Sequence, residues 1–220
     1  RLIAGGFLVP QGFCVTTEAY TQYVHASGFM EHEEWQKVCA LSGNERASVL
    51  AGCREQIRRI ETSQLAAQCL TALQGLNQPP NTRWAVRSSA TNEDAAHTSF
   101  AGLYRTHLGV ALSDIEAALK DLWASLWEER VVSYQVRQSS HTAPRMAVVV
   151  QPMIEAQSAG VAYSIHPVTG RSNQVAINAV PGLAAPLVDG TVKPDQYVVE
   201  VTNEGQPIRI RRRMLARKYE

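Results

Sequence analysis

The chain has 220 residues, of which 45% are hydrophobic and 19% charged, and its formal net charge is +1. This is an ordinary globular composition, and the near-neutral charge gives no reason to expect binding to nucleic acid or to an anionic membrane. No apolar run is long enough to cross a bilayer, and the N-terminus lacks the pattern of a signal peptide.

The N-terminal segment predicts a glycine-capped helix end, then a strand and a helix. Residues 1–6, RLIAGG, are typical of a helix end with a glycine C-cap. Residues 7–17, FLVPQGFCVTT, predict an extended segment with a turn at Pro-Gln-Gly. Thr16 or Thr17 can cap a helix that runs to about Ser27 and ends at Gly28.

Residues 31–75 are predicted to be helical throughout, because apolar side chains recur at helical spacing. Asn44 and Thr62 are the expected N-caps. The region shows no catalytic constellation, and its charged residues suit a solvated face. The chain has four cysteines: Cys14, Cys39, Cys53 and Cys69. Their wide spacing argues against a zinc site, and a reduced, cytoplasmic protein is predicted.

The most informative segment is 84–102, WAVRSSATNEDAAHTSFAG, which follows a proline-rich turn. It begins with the end of a buried strand, after which Arg87 stands beside small hydroxyls. These belong to Ser88, Ser89 and Thr91. A guanidinium binds phosphate oxygens bidentately, and small residues such as Gly102 let backbone amides approach the same oxygens. The segment therefore suits a phosphate-binding loop; the alternative is a polar loop with one salt-bridged arginine.

The segment after this loop predicts a strand and a strong helix. Residues 103–110 alternate in polarity, so a hairpin with the Arg87 strand would hold the loop between them. A capping box at 113–116, SDIE, is predicted to open the helix. Trp123 and Trp127 on that helix are interpreted as core anchors, because aromatic side chains favour cores.

The C-terminal third reads as a series of strands. Residues 145–154, RMAVVVQPMI, form an almost continuous apolar run, which predicts a strand covered on both faces and ending at Gln151 and Met153. A strand and turn are predicted at 159–170, and a further strand is predicted at 175–179. In the basic tail, 207–220, isoleucines alternate with arginines, which favours a half-exposed strand over contact with phosphates or nucleic acid. Hairpins mixed with helices indicate an α+β fold.

Several ordered blocks between residues 7 and 197 resemble one known family. They include VPQGFCVTTEAY, VRSSATNED with SFAG, SLWEERVVSYQVR, VVVQPM, AGVAYSIHPVTG and GLAAPLVDGTVKPDQY. Together they resemble the N-terminal ATP-binding domain of the phosphoenolpyruvate synthase and pyruvate phosphate dikinase family, which includes rifamycin phosphotransferases. The order of the blocks is more specific than any single motif.

The resemblance implies an ATP-grasp fold, in which two lobes clasp ATP. It implies three sub-parts: a helix-rich lobe at 1–82, the phosphate-loop strands and long helix at 83–144, and the hinge with a mixed sheet at 145–220. Arg87 would be the catalytic residue that binds and neutralises the transferring phosphates. The remaining nucleotide-binding residues would be Ser88, Ser89, Thr91 and Gly102 in the phosphate loop, and Gln151 and Met153 beside adenine.

The resemblance also implies the reaction. ATP with Mg²⁺ would give a phosphoryl group to a histidine on a separate swivelling domain. That histidine would pass it to a small-molecule acceptor, of the pyruvate type or an antibiotic, bound by another domain. In the family the metal ligands come from further downstream, so no metal ligand is placed in this chain. Glu93 and Asp94 are expected to cap or to form salt bridges instead. The chain alone is expected to be inactive.

The sequence departs from the family pattern in ways that leave a second function open. The family's glycine-rich lysine motif precedes the point that matches Arg1, and its metal-binding strand follows Glu220, so a domain incomplete at both ends is expected. Ala185 stands where the family has a glutamate. A degenerate, non-catalytic nucleotide-binding or structural module is therefore the alternative, although the intact Arg87 block argues against it. A nucleic-acid binder is disfavoured, because the basic tail lacks interleaved aromatic residues.

Overall fold

The computed structural model describes residues 3–90, 105–137, 143–202 and 207–216. The chain divides into two compact units, Arg1–Met153 and Ile154–Glu220. The first combines helices with a sheet, and the second is mainly a sheet, so the predicted α+β class is confirmed. The predicted sites at Thr91, Glu93, Asp94 and Gly102 lie outside the described residues.

The first unit contains six helices among its described residues. They are α1 (Thr17–Ala26), α2 (Glu31–Ala40), α3 (Gly43–Arg58), α4 (Ser63–Gly75), α5 (Ile115–Ser125) and α6 (Glu129–Arg137). Short 3-10 turns occupy Ile3–Gly5 and Leu112–Asp114. The region 31–75, which is predicted to be helical, forms three helices, with breaks between α2 and α3 and again before α4.

The helix caps follow the sequence rules only in part. Thr16 caps α1, and its hydroxyl accepts a hydrogen bond from the Ala19 amide at 3.4 Å. The prediction of Asn44 as a cap is wrong, because α3 begins after Ser42. The predicted capping box is also wrong, since the 3-10 turn at Leu112–Asp114 precedes α5 and Asp114 takes the N-cap position without a capping side-chain bond.

A four-stranded antiparallel sheet lies in the first unit. Its strands are β1 (Phe13–Val15), β2 (Trp84–Ala90), β3 (Thr106–Val110) and β4 (Met146–Pro152), in the order β1-β4-β2-β3. The β2–β3 hairpin that the sequence predicts is confirmed, with Arg87 opposite Thr106. The other partner of β2 is β4, in a register that places Arg87 opposite Val149.

The hydrophobic core covers one face of this sheet. Val148 and Val150 of β4 are fully buried, as are Trp123 and Trp127, so these tryptophans are core residues as predicted. The Trp127 ring meets Phe29 edge-on, with the ring centroids 5.2 Å apart. The predicted cover of β4 on both faces is complete on one face only, because its residues alternate between buried and half-buried.

The second unit is an antiparallel meander. Its strands are β5 (Ser158–Tyr163), β6 (Gln174–Pro181), β7 (Asp195–Val201) and β8 (Pro207–Met214), in that order across the sheet. A single-turn helix, α7 (Ala185–Val188), joins β6 to β7 and begins at the position where the family resemblance expects glutamate. The strand predicted in the basic tail is confirmed as β8.

Candidate functional site

The candidate site lies on the face of the first sheet that is opposite the core. Side chains of a strand alternate between the two faces, and Trp84, Val86 and Ala90 point into the core. The opposite face of β2 and β4 therefore carries three cross-strand pairs: Ala85 with Gln151, Arg87 with Val149, and Ser89 with Ala147. We call these six residues the Arg87 face.

Arg87 is the only charged residue of this face. Its side chain is exposed, and no described residue forms a hydrogen bond or ion pair with its guanidinium. Its strand partners on either side are Val149 and Thr106, neither of which carries charge. The N–H donors of this guanidinium are available, and the side chains around it are small and apolar. Such a guanidinium can bind the phosphate group of a larger ligand.

The two serines after Arg87 have different surroundings. Ser89 is exposed on the Arg87 face, in the position that the sequence analysis expects for a phosphate-loop hydroxyl. Ser88 lies on the other side of the strand, where its hydroxyl donates a hydrogen bond to the Arg105 carbonyl oxygen at 2.8 Å. The structure therefore brings Ser89 together with Arg87, whereas Ser88 fastens β2 to the segment that leads into β3.

The end of β4 holds both predicted hinge residues. The amide nitrogen of Gln151, Nε2, donates a hydrogen bond to the Pro10 carbonyl oxygen at 3.0 Å. The backbone amide of Met153 donates to the Arg83 carbonyl oxygen at 2.8 Å. Gln151 and Arg87 share a sheet face, so the structure places these two predicted residues together. The Pro10 contact was missed from the sequence, although the Pro-Gln-Gly turn signalled a special backbone there.

An ionic cluster supports β3 next to Arg87. The Asp121 carboxylate of α5 accepts from Arg58 at 2.8 Å, Arg105 at 3.3 Å and His107 at 3.1 Å. Partial burial would raise the pKa of Asp121, but the hydrogen bond from Arg58 and the positive charges around it outweigh this and lower the pKa. Arg105 also pairs with Glu128 at 2.7 Å. No local sequence pattern signals this cluster, because its members come from different elements of the fold.

Three further features of the described residues bear on function: possible metal ligands, the cysteines and possible membrane-spanning helices. In the described ranges, no three His, Cys, Asp or Glu side chains lie close enough to hold a metal ion. All four cysteines are free, and burial together with the Glu34 carboxylate raises the pKa of Cys53 to about 12. Among the helices of the described residues, none is long and apolar enough to cross a membrane.

Comparison with known proteins finds one matching family model and several similar proteins. Residues 3–219 match the family model of the pyruvate phosphate dikinase AMP/ATP-binding domain. A phosphoenolpyruvate synthase of Aeropyrum pernix is 36% identical over 237 aligned positions, which cover 100% of this chain and 28% of the relative. A rifampicin phosphotransferase of Streptomyces sviceus is 35% identical over 200 positions, covering 88% of this chain and 23% of the relative.

A third relative is the phosphoenolpyruvate synthase of Pyrococcus furiosus, which is 31% identical over 89% of this chain and 29% of its own length. The chain thus spans about a quarter of the length of the curated relatives that it matches. The family model covers nearly the whole chain, and two of these relatives exceed 30% identity by a clear margin. The chain therefore belongs to the pyruvate phosphate dikinase AMP/ATP-binding domain family.

Proposed function

We propose that this chain binds ATP against the Arg87 face and presents its phosphates for transfer. The observation that carries the proposal is the exposed Arg87 guanidinium, which no described residue engages, at the centre of a face otherwise built from small, apolar and amide side chains. Ala85, Ala147 and Val149 offer an apolar floor, and Ser89 adds a hydroxyl beside the guanidinium. This combination suits a ligand with both an apolar and an anionic part.

In this proposal Arg87 acts by electrostatics. Phosphoryl transfer depends mainly on positioning and on neutralising the charge of the phosphate oxygens, so a guanidinium fork is an effective catalytic group. The cluster around Asp121 and the Ser88 hydrogen bond support β3 beside β2, the strand from which the Arg87 side chain extends. Thr91 and Gly102 remain predicted members of the phosphate loop, and Gln151 and Met153 remain predicted neighbours of adenine.

The reaction of the complete protein is proposed from its relatives. They are phosphoenolpyruvate synthases and a rifampicin phosphotransferase, so ATP-dependent transfer to a small-molecule acceptor, through a phosphohistidine on another domain, is the function we propose. Mg²⁺ would contribute charge neutralisation at the phosphates. The described residues offer it no ligand cluster, so we assign none of this chain's residues to it. An ATP-grasp fold and a cytoplasmic location belong to the same proposal.

The alternative is a nucleotide-binding module without catalytic activity. Ala185 favours it, because a methyl group at the first position of α7 supplies no carboxylate for a ribose or a metal ion. The Arg87 side chain favours the catalytic proposal instead. Its exposed guanidinium has no partner among the described residues, so it contributes no interaction that stabilises the fold. Restoring the acid with Ala185→Glu distinguishes the two: tighter Mg-ATP binding in this variant would support a degenerate site.

The direct test is calorimetric titration of the chain with Mg-ATP, comparing Arg87→Ala with the wild type. We expect the substitution to weaken binding by about 1.5–3 kcal/mol, the usual contribution of a charge-assisted contact. Arg59→Ala is the charge-matched control, because Arg59, the residue that follows α3, is highly exposed and pairs only with Glu55 among the described residues. Equal affinities in Arg87→Ala and wild type, or no binding by the wild type, would contradict the proposal.

A further inference from the structure

We propose that Gln151 is a positioning residue, which serves nucleotide binding by holding the segment Pro10-Gln11-Gly12 against the end of β4. We call this segment the 10–12 loop. The expected effect on nucleotide binding rests on the proposed function, whereas the anchoring of the 10–12 loop by Gln151 does not. It differs from a direct contact between the Gln151 side chain and adenine, because it assigns the side-chain amide to the protein's own backbone.

The first observation is the hydrogen bond between Gln151 and Pro10. It joins two residues 141 positions apart in the chain, at 3.0 Å, in a partly buried setting. Proline has no amide hydrogen, so its carbonyl oxygen is the one backbone group that the loop can offer at this residue. One of the two N–H donors of the Gln151 side chain is therefore committed to the protein's own backbone.

The second observation is the close approach of Gly12 to the same end of β4. A Cβ atom at Gly12 would lie 2.4 Å from the Val150 carbonyl oxygen and 2.6 Å from Cγ of Gln151. No real side chain tolerates such distances to a backbone atom, so only glycine allows the loop to lie here. The stem of Gln151 thus packs over Gly12 while its amide reaches Pro10.

These contacts act where the loop enters the sheet. β1 begins at Phe13, directly after Gly12, and Phe13 pairs with Val150. The loop therefore cannot shift along β4 without breaking either the Gln151 hydrogen bond or the β1–β4 register. Gln151 also belongs to the Arg87 face, where it stands opposite Ala85. Its side chain consequently joins the 10–12 loop to the Arg87 face, where we propose that the nucleotide binds.

The test is a double-mutant cycle on Mg-ATP affinity with Gln151→Met, Gly12→Ala and the double variant. Methionine keeps the length of the glutamine stem but cannot donate to Pro10. We expect Gln151→Met to weaken binding about fivefold, as for the loss of a neutral hydrogen bond. If the glutamine acts through the loop, the double variant binds no more weakly than Gly12→Ala alone. Effects that multiply would show that Gln151 acts directly on the ligand and would overturn the proposal.

Hydrogen exchange without nucleotide supplies the second readout. Amide exchange in β1, which pairs with β4 directly after the loop, should accelerate in Gln151→Met and in Gln151→Glu, whereas exchange in α5 should not change. The glutamate variant is informative because its carboxylate places an acceptor against the Pro10 carbonyl. Unchanged exchange in β1 would overturn the proposal, even if Gly12→Ala failed to fold.

A matched control is available in the chain. Gln78 makes the same kind of bond, from its side-chain amide to the Leu76 carbonyl oxygen at 3.2 Å, but in an exposed turn. Gln78→Met should leave both Mg-ATP affinity and amide exchange in β1 unchanged. If the wild-type chain does not bind Mg-ATP, the proposed function fails, while the exchange data still confirm or overturn the role of Gln151 as an anchor.

Discussion

Thr62 shows how a single buried hydroxyl overrides a local sequence rule. It stands at the N-cap position of α4 and is 1% exposed, yet its side chain makes no capping bond. Its hydroxyl instead donates to the Glu116 carboxylate at 2.6 Å, and Lys120 pairs with the same carboxylate at 2.9 Å. This tertiary contact explains why Glu116 is not used in the capping box that the sequence suggests.

The Thr62 hydrogen bond, followed by the one from Lys120, lowers the pKa of Glu116. A lowered carboxyl pKa stabilises the folded state above the unfolded pKa, near 4.3, and this contribution disappears as the pH falls through the folded pKa. We predict that Thr62→Val lowers the free energy of unfolding by about 1 kcal/mol at pH 7, since solvent screens part of the interaction.

The difference between Thr62→Val and wild type should shrink between pH 5 and pH 3. Urea denaturation across this range measures it. Thr71→Val is the control, because the Thr71 hydroxyl bonds only the Ala67 carbonyl oxygen among the described residues and has no titrating partner. A difference that stays constant with pH would show that Thr62 does not act through the Glu116 charge.

The β2–β3 hairpin contains an irregularity that positions Arg87. Trp84 pairs with Val110, whereas Val86 pairs with His107, so β3 carries an extra residue between these pairs. Gly109 lies in this stretch and has a φ of 70°. A bulge with a left-handed glycine bends and twists the strand, and it restores the register in which Arg87 lies opposite Thr106.

Two glycine substitutions should therefore have opposite effects. Beyond the adjoining backbone, no atom of the described residues lies within 4 Å of a Cβ at either Gly109 or Gly52, so neither substitution creates a clash there. Gly109→Ala should destabilise the protein by about 1 kcal/mol because alanine resists a positive φ. Gly52→Ala, inside α3, should stabilise it by about 0.5–1 kcal/mol. Thermal unfolding of both variants measures the effects; a common sign would contradict the proposed strain at Gly109.

Across the whole molecule, the hydrophobic core is unevenly distributed. All members of the main buried cluster belong to the first unit, from Val15 to Val150. Among the described residues of Ile154–Glu220, only Gln174 and Val180 are buried. Hydrophobic burial is the main source of folding free energy, and small domains bury little of it, so the two units differ in their capacity to fold independently.

We predict that residues 154–220 alone lack a cooperative thermal transition, whereas residues 1–153 retain one. Far-UV circular dichroism with temperature, together with the dispersion of amide proton resonances, tests both fragments. The full chain serves as the reference for the helical signal of the first unit. A sharp transition in the 154–220 fragment would show that its sheet is stable without a larger buried core.

The sequence predicted features that depend on neighbours along the chain. The apolar run at β4, the Thr16 cap and the buried Trp123 and Trp127 all follow from local pattern. The position of Ser88 on the core side of β2 depends instead on strand register. The Gln151–Pro10 bond and the Asp121 cluster join residues far apart in sequence, so no local pattern encodes them. The roles of Arg87, Ser89 and Met153 with a nucleotide remain predictions.

The last strand of the second sheet also bears on how copies of this chain meet. β8 ends the strand order, so one side of its backbone has no strand partner among the described residues. Such edges can recruit the same strand of another molecule and start aggregation. Arg209 and Arg211 both pair with Glu200, which leaves an excess of positive charge along β8. Two such edges carry like charge and repel each other, so the basic tail disfavours pairing of β8 with the β8 of another copy.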